Sequence, residues 1–115
     1  MANNHTSEIN IHVGMDENRV PESISWDASD GGIENEKAKA LIMSVWDEKS
    51  GDTLAINLWT KDMLLDDMKK FFHQTLLSMA DTFERATDET PMAESMRDFA
   101  DYYAEKMNLI SKDGK

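Results

Sequence analysis

The order of patterns along the chain predicts an α+β protein: a four-stranded antiparallel sheet followed by an antiparallel two-helix hairpin packed on one of its faces. Three observations carry this reading. Short stretches in the first half alternate apolar and polar residues. Glycine-containing polar clusters separate those stretches. From Met63 onward the apolar residues recur at helical spacing instead, in two stretches joined by a short polar linker.

The elements follow in order. Residues 1–7 read as a flexible arm, 8–110 as a single α+β domain and 111–115 as a flexible tail. In "EINIHVG", Ile9, Ile11 and Val13 share one face, which predicts a half-buried strand. "MDENRVP" reads as a loop, with Pro21 holding Val20 extended. "ESISWD" resumes the alternation, placing Ile24 and Trp26 together, and "ASDGG" ends it. The stretch "IENEKAKALIMSVWD" is ambiguous. Its first half suits a helical turn, and from Lys39 it reads as strand.

"EKSGD" is a turn signal and "TLAINLWTK" the returning strand. If Trp46 faces Thr53, then Val45 faces Leu54, Met43 faces Ile56 and Leu41 faces Leu58, so one face of the hairpin is wholly apolar. The other face carries Ala40, Ile42, Ser44 and Trp46 opposite Trp59, Asn57, Ala55 and Thr53. A slip of one residue would invert both faces, so burial of either one pins the register.

At about 100° per residue, Leu65, Met68, Phe72, Leu76, Met79 and Phe83 fall in one sector, predicting an amphipathic helix that ends near Ala86. A second helix is expected from Pro91, with Thr90 as its cap. Its stripe is Met92, Met96, Phe99, Tyr103 and Met107, extended by Ala100 and Ile110. The linker between the helices is short, which makes them antiparallel neighbours.

Composition narrows the function. The 115 residues suit one modest core, and a hydrophobic share of 40% with 30% charged residues suits a folded chain. The formal charge is −11, from 12 basic and 23 acidic residues, and phosphate would repel such a surface. Nucleic acid is therefore not an expected partner. The chain has no cysteine, which excludes disulfides, a thiol nucleophile and a thiolate zinc site. "MANNHTSE" lacks the pattern of a secretory signal, and no apolar run approaches the roughly 18 residues a membrane span needs. A cytoplasmic protein without direct membrane insertion is expected.

No constellation points to chemistry. His5, His12 and His73 are scattered, and His73 stands beside an apolar stripe without a second ligand at metal spacing. "DASDGG" and "DEKSGD" lack the alternating oxygen ligands of a calcium loop and read as ordinary turns. No nucleophile motif surrounds Ser25, Ser44 or Ser78. The expectation is a non-enzyme with no catalytic residue, no cofactor and no metal. Met68, Met79, Met96 and Met107 follow core spacing.

Ile42, Trp46 and Trp59 are the candidate protein-interaction residues, because they project from the hairpin face opposite the expected helical cover. The partner is either a second copy, giving a homodimer, or another protein. The arm, the glycine-rich loop or the "ENEKAK" segment covering both indoles is the competing reading.

The blocks "INIHVGMDENRVPESISWDASDGG", "AKALIMSVWD", "LWTKDM", "MKKFFHQTLLSMADTFERATDE" and "MRDFADYYAEK" resemble the gliding-motility-associated protein GldC family of Bacteroidota. The run from Trp59 to Met63, followed by "FFHQTL" from Phe71, is the specific part, and the likeness covers nearly the whole chain outside the termini. It implies a cytoplasmic, non-enzymatic accessory or adaptor that supports gliding and the linked type IX secretion machinery, with a protein of that machinery as partner. It implies no substrate, cofactor or catalytic residue. The order of four strands then two helices is also similar to that of the export chaperone SecB, so a small holding chaperone for exported proteins is the alternative.

Overall fold

The computed structural model describes residues 5–109. The expected tail, 111–115, the first four residues of the expected arm, and Ile110 of the second helical stripe lie outside the described residues. The chain forms two compact units, one running to Met63 and one from Leu64. Among the described residues the first forms strands and turns and the second a pair of helices, so the α+β class stands.

Among the described residues the first unit holds five strands: β1 (Ile9–Met15), β2 (Pro21–Ala28), β3 (Ile33–Ala38), β4 (Ala40–Asp47) and β5 (Asp52–Trp59). They do not make one four-stranded sheet. A three-stranded antiparallel sheet has the order β1-β2-β3, and β4 and β5 form a separate two-stranded sheet. The division into two sheets has two causes. "IENEKA", whose first residues suit a helical turn by propensity, is a strand, because Ile24, Ser25 and Trp26 of β2 pair with Ala38, Lys37 and Glu36. Long-range pairing overrides local preference here. Its signature is hidden by an irregularity between Trp26 and Ala28 and by Asn35 at φ 51°, which break the two-residue period.

The second cause is Lys39. It alone separates β3 from β4, its carbonyl accepts the Thr60 N–H at 2.8 Å, and its ammonium meets Asp62 at 2.5 Å. The extended chain thus changes neighbours at one residue, from β2 to β5.

Among the described residues of this unit Ile24 is the buried hydrophobic one, at 3% exposure, with Ile11, Val13 and Trp26 half-buried. Thr60 is buried and donates its hydroxyl to Asp62 at 2.7 Å. The β1–β2 loop is organised by Asp16. Its carboxylate accepts the N–H groups of Asn18 and Val20 and the Lys61 ammonium, which lies 2.8 Å from it and 3.3 Å from Glu22. These bonds hold the loop and the end of β5 together, alongside a Lys61 N–H bond to the Pro21 carbonyl.

The second unit comprises α1 (Leu65–Thr87) and α2 (Thr90–Lys106). Asp66 and Asp67 in the first turn of α1 and Arg85 in its last suit the helix dipole. Asp88 at φ 60° ends α1 with its N–H on the Glu84 carbonyl. Thr90 is the first residue of α2 rather than its cap; Glu89 takes the cap position without a side-chain capping bond, and Pro91 lies in the first turn, where its missing N–H costs nothing.

The seam between the helices is built from alanine. Ala80 of α1 and Ala93, Ala100 and Ala104 of α2 are buried. His73 and Tyr103 stack across the seam with ring centroids 6.3 Å apart, and the Tyr103 hydroxyl donates to the Lys69 carbonyl at 3.0 Å. At one end Arg97 reaches Asp81, Glu84 and Glu94 at 2.9, 2.6 and 2.6 Å. The seam therefore lies roughly a quarter turn away from the apolar stripes of both helices. Small side chains let the backbones approach; of the stripe residues Tyr103 reaches across the seam, whereas Phe72, Met79, Met92 and Phe99 stay exposed.

Candidate functional site

The β4–β5 hairpin has the register that the two-residue pattern demands. Ala40, Leu41, Ile42, Met43, Ser44, Val45 and Trp46 pair with Trp59, Leu58, Asn57, Ile56, Ala55, Leu54 and Thr53. Its turn is fixed locally. The Asp47 carboxylate accepts the Ser50 N–H at 2.8 Å, the Asp47 carbonyl accepts the Gly51 N–H at 2.9 Å, and Gly51 has φ 69°. Hydrogen bonds from Ser50 hold the Asp47 carboxyl below its usual pKa.

Two faces result. On one, Leu41, Met43 and Leu58 are half-buried and Val45, Leu54 and Ile56 are exposed. On the other stand the three expected contact residues. Trp46 is 70% exposed and Trp59 is 56% exposed, whereas Ile42 is half-buried. They share a face but do not converge on one spot. Ile42 pairs with Asn57, one diagonal step from Trp59. Six residue steps separate the Trp46–Thr53 pair from the Ala40–Trp59 pair, about 20 Å of strand. Ser44 and Ala55 lie between, so the surface is a strip with an indole at each end and a small-residue floor.

The helical unit carries a second apolar surface that its periodicity disguised. Phe72, Met79, Met92 and Phe99, all members of the apolar stripes, are exposed, with Phe72 at 45%. Leu76, Met92, Ser95, Met96 and Phe99 line an open groove of ≈ 290 Å³. Helical spacing of large residues made these look like core. The spacing of Ala93, Ala100 and Ala104 is the signal that separates seam from stripe.

His5 meets Asp30 at 2.7 Å and His12 meets Asp27 at 3.2 Å, both on the surface. Among the described residues no group of three His, Cys, Asp or Glu side chains is placed to hold a metal ion. No helix among them is long and apolar enough to cross a membrane. The hydrogen bond from Lys61, with those from the Val20 and Asn18 N–H groups, lowers the Asp16 carboxyl to about 2. Arg97 holds Glu84 below its usual range through their hydrogen bond, and the same bond raises Arg97.

No curated protein and no solved structure matches the chain significantly. Residues 21–109 match the family model described as gliding motility-associated protein GldC-like. The match takes in β2 to β5 and both helices, and so includes Ile42, Trp46 and Trp59. The match spans well over half of the chain, which belongs to the GldC-like family of gliding motility-associated proteins.

Proposed function

We propose that the protein is a non-catalytic accessory or adaptor of the gliding apparatus and the linked type IX secretion machinery. It acts on the cytoplasmic side without a cofactor or metal and docks a protein component of that machinery through the Ile42, Trp46 and Trp59 face of the β4–β5 hairpin. The observation that carries this reading is the exposure of two tryptophans, at 70% and 56%, on one face of one hairpin. Aromatic residues of this kind contribute a large share of binding energy when a partner desolvates them. The net charge of −11 favours a partner with basic residues around its docking site.

The test is mild crosslinking and affinity capture from gliding cells with the wild-type chain and the Trp46→Ser and Trp59→Ser variants. One stoichiometric membrane-complex partner, lost in both variants, supports the adaptor. Capture of many unfolded exported proteins instead would identify a holding chaperone. Capture of the same partner by both variants at the wild-type level would remove this face from the interaction.

A further inference from the structure

We infer that two copies of the chain associate by antiparallel pairing of their β5 strands, edge to edge, so that two β4–β5 hairpins become one four-stranded sheet. An isolated two-stranded sheet is marginally stable, and an open edge presents unpaired N–H and C=O groups to any matching strand. Among the described residues no strand pairs with the outer edge of β5, and the bond on that side, from the Lys61 N–H to the Pro21 carbonyl, lies past its end.

The edges of the other sheet are guarded. β1 carries a register shift between Gly14 and Met15, and β3 displays Glu34, Glu36 and Lys37. β5 has neither device. Its register is unbroken from Asp52 to Trp59, and it has no proline and no charge after Asp52. β5 is also the more open side of its hairpin: Asp52–Asn57 are all exposed, whereas Ala40–Met43 of β4 are half-buried.

The ladder identifies the groups that point outward. The Thr60 N–H donates to the Lys39 carbonyl, one step beyond the Ala40–Trp59 pair, so Lys39 and Thr60 form a hydrogen-bonded pair. Antiparallel ladders alternate bonded and non-bonded pairs. Leu54, Ile56 and Leu58 therefore turn their backbone groups to β4, and Thr53, Ala55 and Asn57 turn theirs to the open edge.

A second copy is the occupant because the segment is self-complementary. A two-fold axis at Ala55 sets Ala55 against Ala55 of the second copy in a hydrogen-bonded pair. It sets Leu54 against Ile56 and Thr53 against Asn57 of the second copy. Asp52 then faces Leu58 rather than another acid. Two chains of charge −11 repel at a distance, so added salt tightens this dimer, the opposite of its effect on a contact with a basic partner.

The purified chain alone tests this, so the result is independent of the proposed partner. Light scattering across a dilution series should show a monomer–dimer equilibrium that shifts toward dimer with salt. Amide exchange at Thr53, Ala55 and Asn57 should slow as concentration rises. Ala55→Pro removes both central inter-chain bonds without touching the ladder to β4, and Ala55→Lys sets like charges face to face. Each should weaken the dimer by about tenfold or more while circular dichroism is unchanged. Should Ala55→Pro fail to fold, Ala55→Lys and the wild-type exchange pattern decide. A wild-type monomer at every concentration overturns the proposal. So does a dimer that survives the Ala55 variants, dissociates with Trp46→Ser, or leaves these three amides exchanging at a concentration-independent rate.

Discussion

The hydroxyl of Tyr103 donates to the main-chain carbonyl of Lys69 at 3.0 Å, tying α2 to α1 thirty-four positions away in sequence. The acceptor is a carbonyl inside a helix, so the bond ties a side chain of α2 directly to the backbone of α1. The same ring lies 4° from parallel to His73.

Replacing Tyr103 by Phe keeps the ring and removes the donor. Denaturant unfolding should show a loss of about 0.5–1.5 kcal/mol, typical of one intramolecular hydrogen bond. Helical content in the native baseline should not change.

The alanine seam gives a sharper contrast. Ala100 is fully buried, and Ala100→Leu forces extra methylenes between the helices, at a cost of roughly 1–3 kcal/mol. Phe72 is 45% exposed, and Phe72→Ala should cost clearly less than the roughly 3–5 kcal/mol of a buried phenylalanine. Thermal and denaturant unfolding of the pair would check both. A larger loss at Phe72 than at Ala100 would mean that the seam and the stripe had been exchanged.

Acid should loosen the β1–β2 loop. The Asp16 carboxyl has a folded pKa of about 2 against an ordinary value of 3.8, so its contribution is fully present above the ordinary value. It is lost as pH falls from about 4 toward 2. The raised pKa of Lys61, due first to its hydrogen bond with Asp16, gives the mirror case: its contribution holds below 10.5 and disappears as pH rises through the higher folded value. Asp16→Asn should flatten the acid limb of a stability–pH profile while leaving the neutral region less stable. Unfolding midpoints measured across pH would show whether the limb flattens.

At the hairpin turn, Gly51 has φ 69°, a conformation that costs other residues roughly 1–2 kcal/mol. A Cβ at that position meets nothing within 4 Å, so Gly51→Ala should lose stability through backbone strain alone. Gly51→Asn should recover part of that loss, because asparagine tolerates the left-handed region. Equal stability of all three forms would contradict the turn geometry.

Elements whose signals are local are legible in the order of residues alone. The β4–β5 register follows from alternation on both sides of "DEKSGD", and helices near 65–87 and 90–106 follow from unbroken spacing and Pro91. The placement of Trp46 and Trp59 on one face came with that register. The remaining features depend on contacts between segments distant in the chain. β3 exists because β2 supplies partners for a segment whose glutamates and lysines favour helix, and its irregular pairing hides the alternation. The division into two sheets rests on the neighbours that Lys39 finds. Periodicity identified the apolar stripe of each helix but not the contacting side, since large residues and alanines both recur at helical spacing. Backbone approach at Ala80, Ala93, Ala100 and Ala104 selected the small side chains for the seam and left Phe72 and Phe99 exposed. Exposure depends on which surfaces meet in space, and the spacing of residues along one chain does not contain that quantity.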